Sequence, residues 1–348
     1  MSDCSRKDIE TLVEAIFISG KMRQLSPNII EVSGLLDIVM LEEYVYRSAT
    51  LQDVFLVIKH VDLSGCLDFM DLLCTKGTGI KVENPVIRVL SIDKLSKLPS
   101  ITGSLTCLED ILSIADQLSF SKIYPYEGRP HLIINCLEKK GYLGVFLKRM
   151  RRDRFIYRSP EKRAFMQYSA LSPRMALFMV NLSTRAKGRK KPMTFLDPFC
   201  GSGGVLIEAA LLGYYAVGLE IFYKPVRGAR RNVIQLNLYT NVDLILADAS
   251  LPPFREKSFD AIAFDPPYGR LSPVKGRESV DPLINFLSSV RYILKKNGSC
   301  IFLYPSGRET DRLTKMGFTE ECKIFEHSRL TRSLWCLRDE RQGHVLGS

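Results

Sequence analysis

The amino-acid sequence predicts an α/β protein. Its C-terminal half reads as a doubly wound, mostly parallel sheet with an antiparallel edge hairpin, preceded by an α+β region. Three observations carry that expectation. From Thr194 to Leu303, short apolar runs alternate with stretches of helical period, the pattern of parallel strands joined by crossover helices. Four of those runs stop at a carboxylate, Asp197, Glu220, Asp248 or Asp265, where open α/β sheets bind their ligands. A sharp change of composition between Lys148 and Arg163 separates this half from what precedes it.

Before Lys148 the chain mixes both element types. Asp8 to Ile18 and Cys107 to Leu118 carry apolar residues at helical spacing. Ile29 to Val32, Val54 to Val61, Val86 to Ser91, His131 to Leu137 and Tyr142 to Leu147 read as strands. In the second half, Ser172 is placed to cap a helix that Pro173 opens and that ends near Leu182. Thr194 to Leu196 predicts a strand, Gly204 to Leu212 a helix closed by Gly213, and Ala216 to Leu219 a strand. Val226 to Leu236 predicts a helix, with Leu244 to Ala247 and Ala261 to Phe264 as the next strands. A helix over Pro282 to Lys296 stops at Asn297-Gly298, Cys300 to Leu303 is a strand, and Cys322 to His327 with Leu334 to Leu337 form a closing hairpin. The implied division is an N-terminal region over 1–150, a basic linker over 151–170 and a ligand-binding domain over 171–340.

A chain of 348 residues, 46% hydrophobic and 25% charged, is long enough for two domains with cores of their own. Its formal net charge of +11 fits a polyanionic partner. Eight basic residues and only two acidic ones lie over 148–163, with Phe155 and Tyr157 interleaved. Basic side chains neutralise phosphates with little sequence preference, and aromatic rings stack on bases. Arg149, Arg151, Arg152, Arg154, Arg158 and Arg163, with Arg174 beyond them, are therefore candidate RNA contacts, although a solvated linker would have the same composition. Nine cysteines without a C-x-x-C pair and four scattered histidines give neither a zinc framework nor a disulfide pattern, so no metal is expected and the thiols are expected to be reduced. The chain opens on no signal-peptide pattern, and no apolar run reaches the ~18 residues of a membrane span. A cytoplasmic protein with no membrane partner is the expectation.

The strand ends suggest the chemistry. Phe195 to Gly204 reads as strand, acidic turn, glycine-rich loop and helix start, with Phe199, Gly201 and Gly203 placed around a ligand. It is not a P-loop, since no Gly-Lys-Ser/Thr follows, nor a G-x-G-x-x-G, since Leu206 stands at the third glycine. Alone it leaves dinucleotide binding open. Asp197 can pair with an α-amino group, Glu220 can accept from two ribose hydroxyls, and Asp248 with the adjoining Ala249 can take an adenine amino group. Together these groups describe S-adenosylmethionine. The turn Asp265-Pro266-Pro267-Tyr268 ends the ladder, because proline cannot donate, and leaves a carboxylate, unladdered carbonyls and an aromatic ring. Asp265 and the Pro266 carbonyl can accept from a planar amine while Tyr268 stacks on its face.

Asp197-Pro-Phe-Cys-Gly-Ser-Gly-Gly, the strand end at Asp248 and Asp265-Pro-Pro-Tyr-Gly-Arg resemble the motifs of class I S-adenosylmethionine-dependent amino-methyltransferases. Leu171-Ser-Pro-Arg-Met-Ala, Met179-Val-Asn-Leu and Gly228-Ala-Arg-Arg-Asn232 resemble, more narrowly, the THUMP-containing tRNA guanine-N2 methyltransferases, the archaeal and eukaryotic group that modifies guanosine 10. The resemblance covers about 158–340, while residues 1–157 match a ferredoxin-like plus THUMP region by position, size and basic exit. It implies a Rossmann-like domain that moves a methyl group to guanine N2, giving N2-methylguanosine or its dimethyl form, with tRNA as partner. Some members work with a small zinc-binding activator protein, which becomes a candidate partner here. The sequence departs from the family at Glu220 (usually Asp), Ser202 (commonly Thr) and Ala164, Gln167 and Tyr168 (Pro, His and Pro). Two alternatives stay open. An adenine-N6 or glutamine-amide methyltransferase would use the same turn, and a non-catalytic RNA-binding protein would keep the fold as a scaffold.

Overall fold

The structure is a computed structural model that describes residues 11, 21–26, 29–33, 48–49, 53–62, 87–91, 130–135, 140–149, 153–168, 170–185, 193–267, 282–307, 309–327 and 330–338. The helices expected over 8–18 (Thr11 apart) and 107–118 lie outside these residues. The chain divides into two compact units, one of 21–33 and 51–150, the other of 1–20, 34–50 and 151–348.

In the first unit, β1 (Lys21–Ser26) and β2 (Ile29–Ser33) pair as an antiparallel ribbon. β3 (Asp53–Asp62), β4 (Ile87–Ser91), β5 (Pro130–Asn135) and β6 (Lys140–Arg149) form an antiparallel sheet in the order β3-β6-β5-β4. β2 to β6 fall where the apolar runs predicted them. β1 has no such run: Lys-Met-Arg-Gln-Leu-Ser is polar, and its pairing to β2 makes it a strand.

The second unit contains helices α1 (Asp153–Ile156), α2 (Pro173–Thr184), α3 (Gly204–Leu211), α4 (Tyr223–Gln235), α5 (Pro282–Ile293) and α6 (Thr310–Lys315). Its strands are β7 (Thr194–Asp197), β8 (Tyr215–Glu220), β9 (Val242–Leu246), β10 (Phe259–Phe264), β11 (Leu294–Pro305), β12 (Thr319–His327) and β13 (Leu330–Arg338). They form one sheet in the order β12-β13-β11-β10-β7-β8-β9. The β7–β8, β8–β9, β7–β10 and β10–β11 pairs are parallel, and β13 runs antiparallel to both of its neighbours. The antiparallel strand thus lies one place in from the edge, which β12 occupies.

Local chemistry sets the helix ends. Ser172 Oγ accepts from the Met175 amide at 3.3 Å, and Arg185 closes α2 in the left-handed region at φ 51°. α4 begins at Tyr223, three residues before the expected Val226, because Pro225 falls in the first turn, where a missing N–H costs nothing. α5 ends at Ile293 rather than Lys296. Leu294 already pairs with Phe259, and the ladder resumes at Ser299 opposite Ala261, so residues 295–298 bulge out with Asn297 at φ 62°. That bulge carries Lys295 Nζ to 2.8 Å from Asp260 Oδ2, which also accepts from the Thr194 amide at 2.8 Å. Burial would raise the Asp260 pKa, but the Lys295 and Thr194 hydrogen bonds outweigh it and hold the carboxyl below its ordinary value.

The core bears directly on the ligand edge. Phe264 stacks on Phe302 at 5.3 Å and meets Phe286 edge-on at 5.4 Å, while Phe199 closes on Phe264 at 5.3 Å. Burying a ring of this size is worth about 1.5–3 kcal/mol, so the residues that flank Asp197 and Asp265 rest on a stiff floor. Cys200, Cys300 and Cys336 are free and buried, whereas Cys322 is disulfide-bonded, against the expectation of reduced thiols throughout. Among the described residues, no helix is long and apolar enough to cross a membrane, and no group of His, Cys, Asp and Glu could hold a metal ion.

Candidate functional site

β10, β7, β8 and β9 are parallel neighbours, so their carboxyl ends lie side by side at one edge of the sheet. Asp197 ends β7 and is buried, 2% exposed, with Oδ1 accepting from the Phe199 amide at 3.0 Å across Pro198. This turn leads into Gly201 at φ 50° and Gly203 at φ 82°, backbone that glycine adopts without strain. A Cβ on Gly201 would lie 2.9 Å from Gln167 Oε1, so the end of the Gln167 side chain rests against that face of the loop. Glu220 ends β8 and reaches back to the loop: Oε2 accepts from the Gly201 amide at 3.1 Å and Oε1 from the Phe222 amide at 2.9 Å. Asp248 follows β9 by two residues, is exposed, and accepts from the Ser250 amide at 2.8 Å, with Ala249 buried beside it. Asp265 follows β10 directly, with Pro266 buried and Pro267 exposed. Tyr268, and the rest of that turn as far as residue 281, lies outside the described residues.

The edge is strongly acidic. Burial pushes the Asp197 pKa well above its ordinary value, the Phe199 N–H opposes this, and the neighbouring Asp265 and Glu220 charges push it further up. Burial, reinforced by Asp197 and Glu220, likewise keeps the Cys200 thiol neutral, so it packs rather than reacts. The site offers acceptors to a ligand that presents hydrogen-bond donors and positive charge.

One group here was not singled out from sequence, and others have contacts that the sequence did not give them. Arg332 Nη1 donates to Asp265 Oδ2 at 2.9 Å from β13. Asn232 on α4 donates to the Ser202 carbonyl and the Phe165 carbonyl, each at 2.9 Å, and accepts from the Phe165 amide at 2.7 Å. A Cβ on Gly228 would come within 2.1 Å of the Phe165 ring, so Gly228 and Asn232 of the Gly-Ala-Arg-Arg-Asn run dock the 163–167 segment against the loop. The Arg163 guanidinium lies over the start of α3, with Nη1 3.2 Å from where a Gly204 Cβ would be, and both its Nη atoms are buried without a hydrogen-bond partner among the described residues. Gln167 Oε1 is likewise buried without a partner among the described residues.

These contacts correct part of the RNA-contact set. Arg158 is buried and binds Glu208 on α3 through two bonds, Nε to Oε1 at 2.6 Å and Nη2 to Oε2 at 2.8 Å. Arg163 is also buried, at 7% exposure, and its Nε donates to the Arg158 carbonyl at 3.0 Å. Neither faces a phosphate outside the fold, because Glu208 and the loop draw them inward. Arg154 donates to the Ser48 carbonyl at 2.8 Å and Arg174 to the Ala49 carbonyl at 3.0 Å, tying that segment to the same unit. Arg149 ends β6, and Arg151 and Arg152 lie outside the described residues.

Comparison with known proteins places this architecture. Residues 160–329 match the UPF0020 family, an RMKL-like methyltransferase domain. A "Probable tRNA (guanine(10)-N2)-dimethyltransferase" of Methanothermococcus thermolithotrophicus is 32% identical over 165 residues, 46% of this chain and 94% of that protein. The chain belongs to this methyltransferase family. The methyltransferase is also 36% identical to the tRNA (guanine(10)-N2)-dimethyltransferase of Methanothermobacter thermautotrophicus over 59% of this chain and 58% of that protein. To the protein of the same name from Methanocaldococcus jannaschii it is 29% identical over 71% of this chain and 68% of that protein. It therefore spans little more than half the length of the first of these two.

The Arg158–Glu208 pair makes the methyltransferase domain depend on a residue that composition alone would assign to RNA. Arg158→Ala leaves Glu208 buried without its bidentate partner and is expected to destabilise the domain by about 3–5 kcal/mol. Chemical denaturation of the variant measures this; a loss below about 1 kcal/mol would return Arg158 to the surface set.

Proposed function

We propose that the protein is an S-adenosylmethionine-dependent tRNA (guanine-N2) methyltransferase that acts on guanosine 10. One observation carries this: four neighbouring parallel strands end in carboxylates, the first followed by a left-handed glycine turn and the last by two prolines. The relatives named for guanine(10)-N2 chemistry support the choice of acceptor.

The residues present fit that cofactor. Its amino-acid end is a zwitterion, and the glycine turn is flanked by partnerless buried groups of the matching kind. The Arg163 guanidinium would hold the carboxylate, and Asp197 with Gln167 Oε1 the ammonium. Glu220 would accept from the ribose hydroxyls, and Asp248 beside Ala249 from the adenine amino group. Phe199, Gly201 and Gly203 would let the ligand approach the backbone. When bound, S-adenosylmethionine supplies an electrophilic methyl group on a sulfonium.

The protein's task is to make a poor nucleophile attack. The lone pair of guanine N2 is delocalised into the ring. Asp265 and the Pro266 carbonyl accept from its two N–H groups, localising that pair, and the Asp265 carboxylate takes the proton that leaves the nitrogen once the methyl is bonded. Pro267 stiffens the turn, and Tyr268 stacks on the base. Holding the amine in line in a dry site supplies most of the acceleration. A guanine paired within tRNA has to be flipped out to reach this turn.

The exposed face of α4 fits a polyanion: Lys224, Arg227, Arg230 and Arg231 are exposed on a helix with no acidic residue, and Arg227 lies over the Tyr223 ring at 5.7 Å. We assign to it, with Arg149, Arg151, Arg152, Arg154 and Arg174, the contacts to tRNA phosphates. The first unit takes the ferredoxin-like and THUMP role of holding the tRNA. The site of action is the cytoplasm, where the tRNA is.

The test is labelled S-adenosylmethionine with an unmodified tRNA transcript, followed by nucleoside analysis. N2-methylguanosine or its dimethyl form is expected. Asp265→Ala should lower the rate by about 100-fold or more while S-adenosylhomocysteine still binds within a few-fold. Methyladenosine as product would overturn the acceptor. Absence of any product, even with a zinc-binding activator protein supplied, would overturn the activity.

A further inference from the structure

The antiparallel strand β13 performs a task that the sheet itself does not require. Phe264, the last residue of β10, is level with Phe302 of β11, and Phe302 is level with Trp335 of β13. Because β13 runs the other way, Arg332, three residues before Trp335, lies beyond the end of β10, opposite Pro305. From there its side chain spans β11 to reach Asp265, with Nη1 2.9 Å from Oδ2. Both side chains are largely buried, 8% and 14% exposed.

The neighbouring contacts already close this corner of the sheet. The Ser306 amide donates to the Thr331 carbonyl at 2.9 Å, and the Ser306 and Ser333 hydroxyls share a hydrogen bond at 2.7 Å. The ladder from Ser299–Arg338 to Pro305–Arg332 is continuous. A guanidinium is therefore not needed to hold β11 against β13. What it alters is the carboxylate on the next strand.

Resting on the proposed function, we propose that Arg332 is the positioning residue of the reaction, holding the Asp265 carboxylate ionised and turned to accept from the guanine amine. Asp265 lies close enough to the buried Asp197 for the two charges to oppose each other. Two carboxylates in a poorly solvated site favour protonation of one of them. A protonated Asp265 would present a donor to an amine that needs acceptors. A guanidinium bonded to Oδ2 keeps the charge on that residue and fixes the plane of the carboxylate. It acts through Asp265 and does not touch the reacting atoms.

Arg332→Gln and Arg332→Lys in the full chain test this, with three readouts: single-turnover methyl transfer to unmodified tRNA transcript at saturating concentrations, S-adenosylhomocysteine affinity, and melting temperature. Arg332→Gln should slow transfer by about 100-fold, while the Kd for S-adenosylhomocysteine changes by less than about threefold and the protein melts cooperatively. Arg332→Lys keeps a point charge without the planar fork and should recover about tenfold of that loss. A Gln variant within about threefold of wild type would overturn the inference, and so would a Lys variant as slow as Gln. Loss of rate, affinity and melting temperature together in both variants would make Arg332 a structural residue, which also overturns it. If wild type makes no N2-methylguanosine, the functional proposal falls and takes this inference with it. Wild-type product with an indifferent Gln variant overturns this inference alone.

Discussion

A carboxylate taken out of water is costly unless something compensates it, and Asp197 sits 2% exposed at the end of a central strand. The Phe199 amide supplies part of the compensation, and its hydrogen bond fixes the turn that follows. From that turn come the left-handed glycines, the start of α3, and the Gly201 amide that orients Glu220. The Phe199 ring, placed by the same turn, packs on Phe264 beneath Asp265. Burial and the charges of Asp265 and Glu220 all work against ionising Asp197. A cationic ligand relieves this penalty, so the cost of burying the acid is linked to binding.

The rest of the unit keeps that edge still. Parallel pairing of β10, β7, β8 and β9 sets four strand ends side by side, and the stacked phenylalanines leave them little freedom. At the opposite edge, Lys295, Asp260 and Thr194 lock β10 to β7. The segment over 158–167 is bound from below by Glu208 and from the side by Asn232, which presses Arg163 and Gln167 onto the glycine turn.

Much of this was legible in the sequence, because the signals were local. A short apolar run, a proline after a serine, or a glycine after a helix acts within a few residues, and so Ser172 caps its helix, Gly213 follows α3, and Asp197, Glu220 and Asp265 lie at or next to strand ends, with Asp248 two residues past β9. What was not legible depended on distant partners. Arg158 and Arg163 look like any surface arginine until Glu208, on a helix about fifty residues away, draws Arg158 in. Arg332 carries no local signature, since its meaning lies in the strand order that brings it to Asp265. β1 is polar and exists as a strand by virtue of β2. The start of β11 has no unique local signal, because Lys-Lys-Asn-Gly serves equally as a helix stop and as a bulge.

The central claim is that Asp197 is a buried acid held for a cationic ligand, and titration calorimetry with S-adenosylhomocysteine tests it most directly. The free carboxyl titrates well above its ordinary value, and a bound ammonium would lower it. Binding should therefore release protons, and affinity should strengthen as pH rises toward the raised pKa of the free carboxyl. Asp197→Asn keeps an oxygen for the Phe199 amide but carries no charge, so it should abolish that share of the proton release and weaken binding by about tenfold or more. Wild type and variant that bind equally well, with the same proton exchange, would contradict the account.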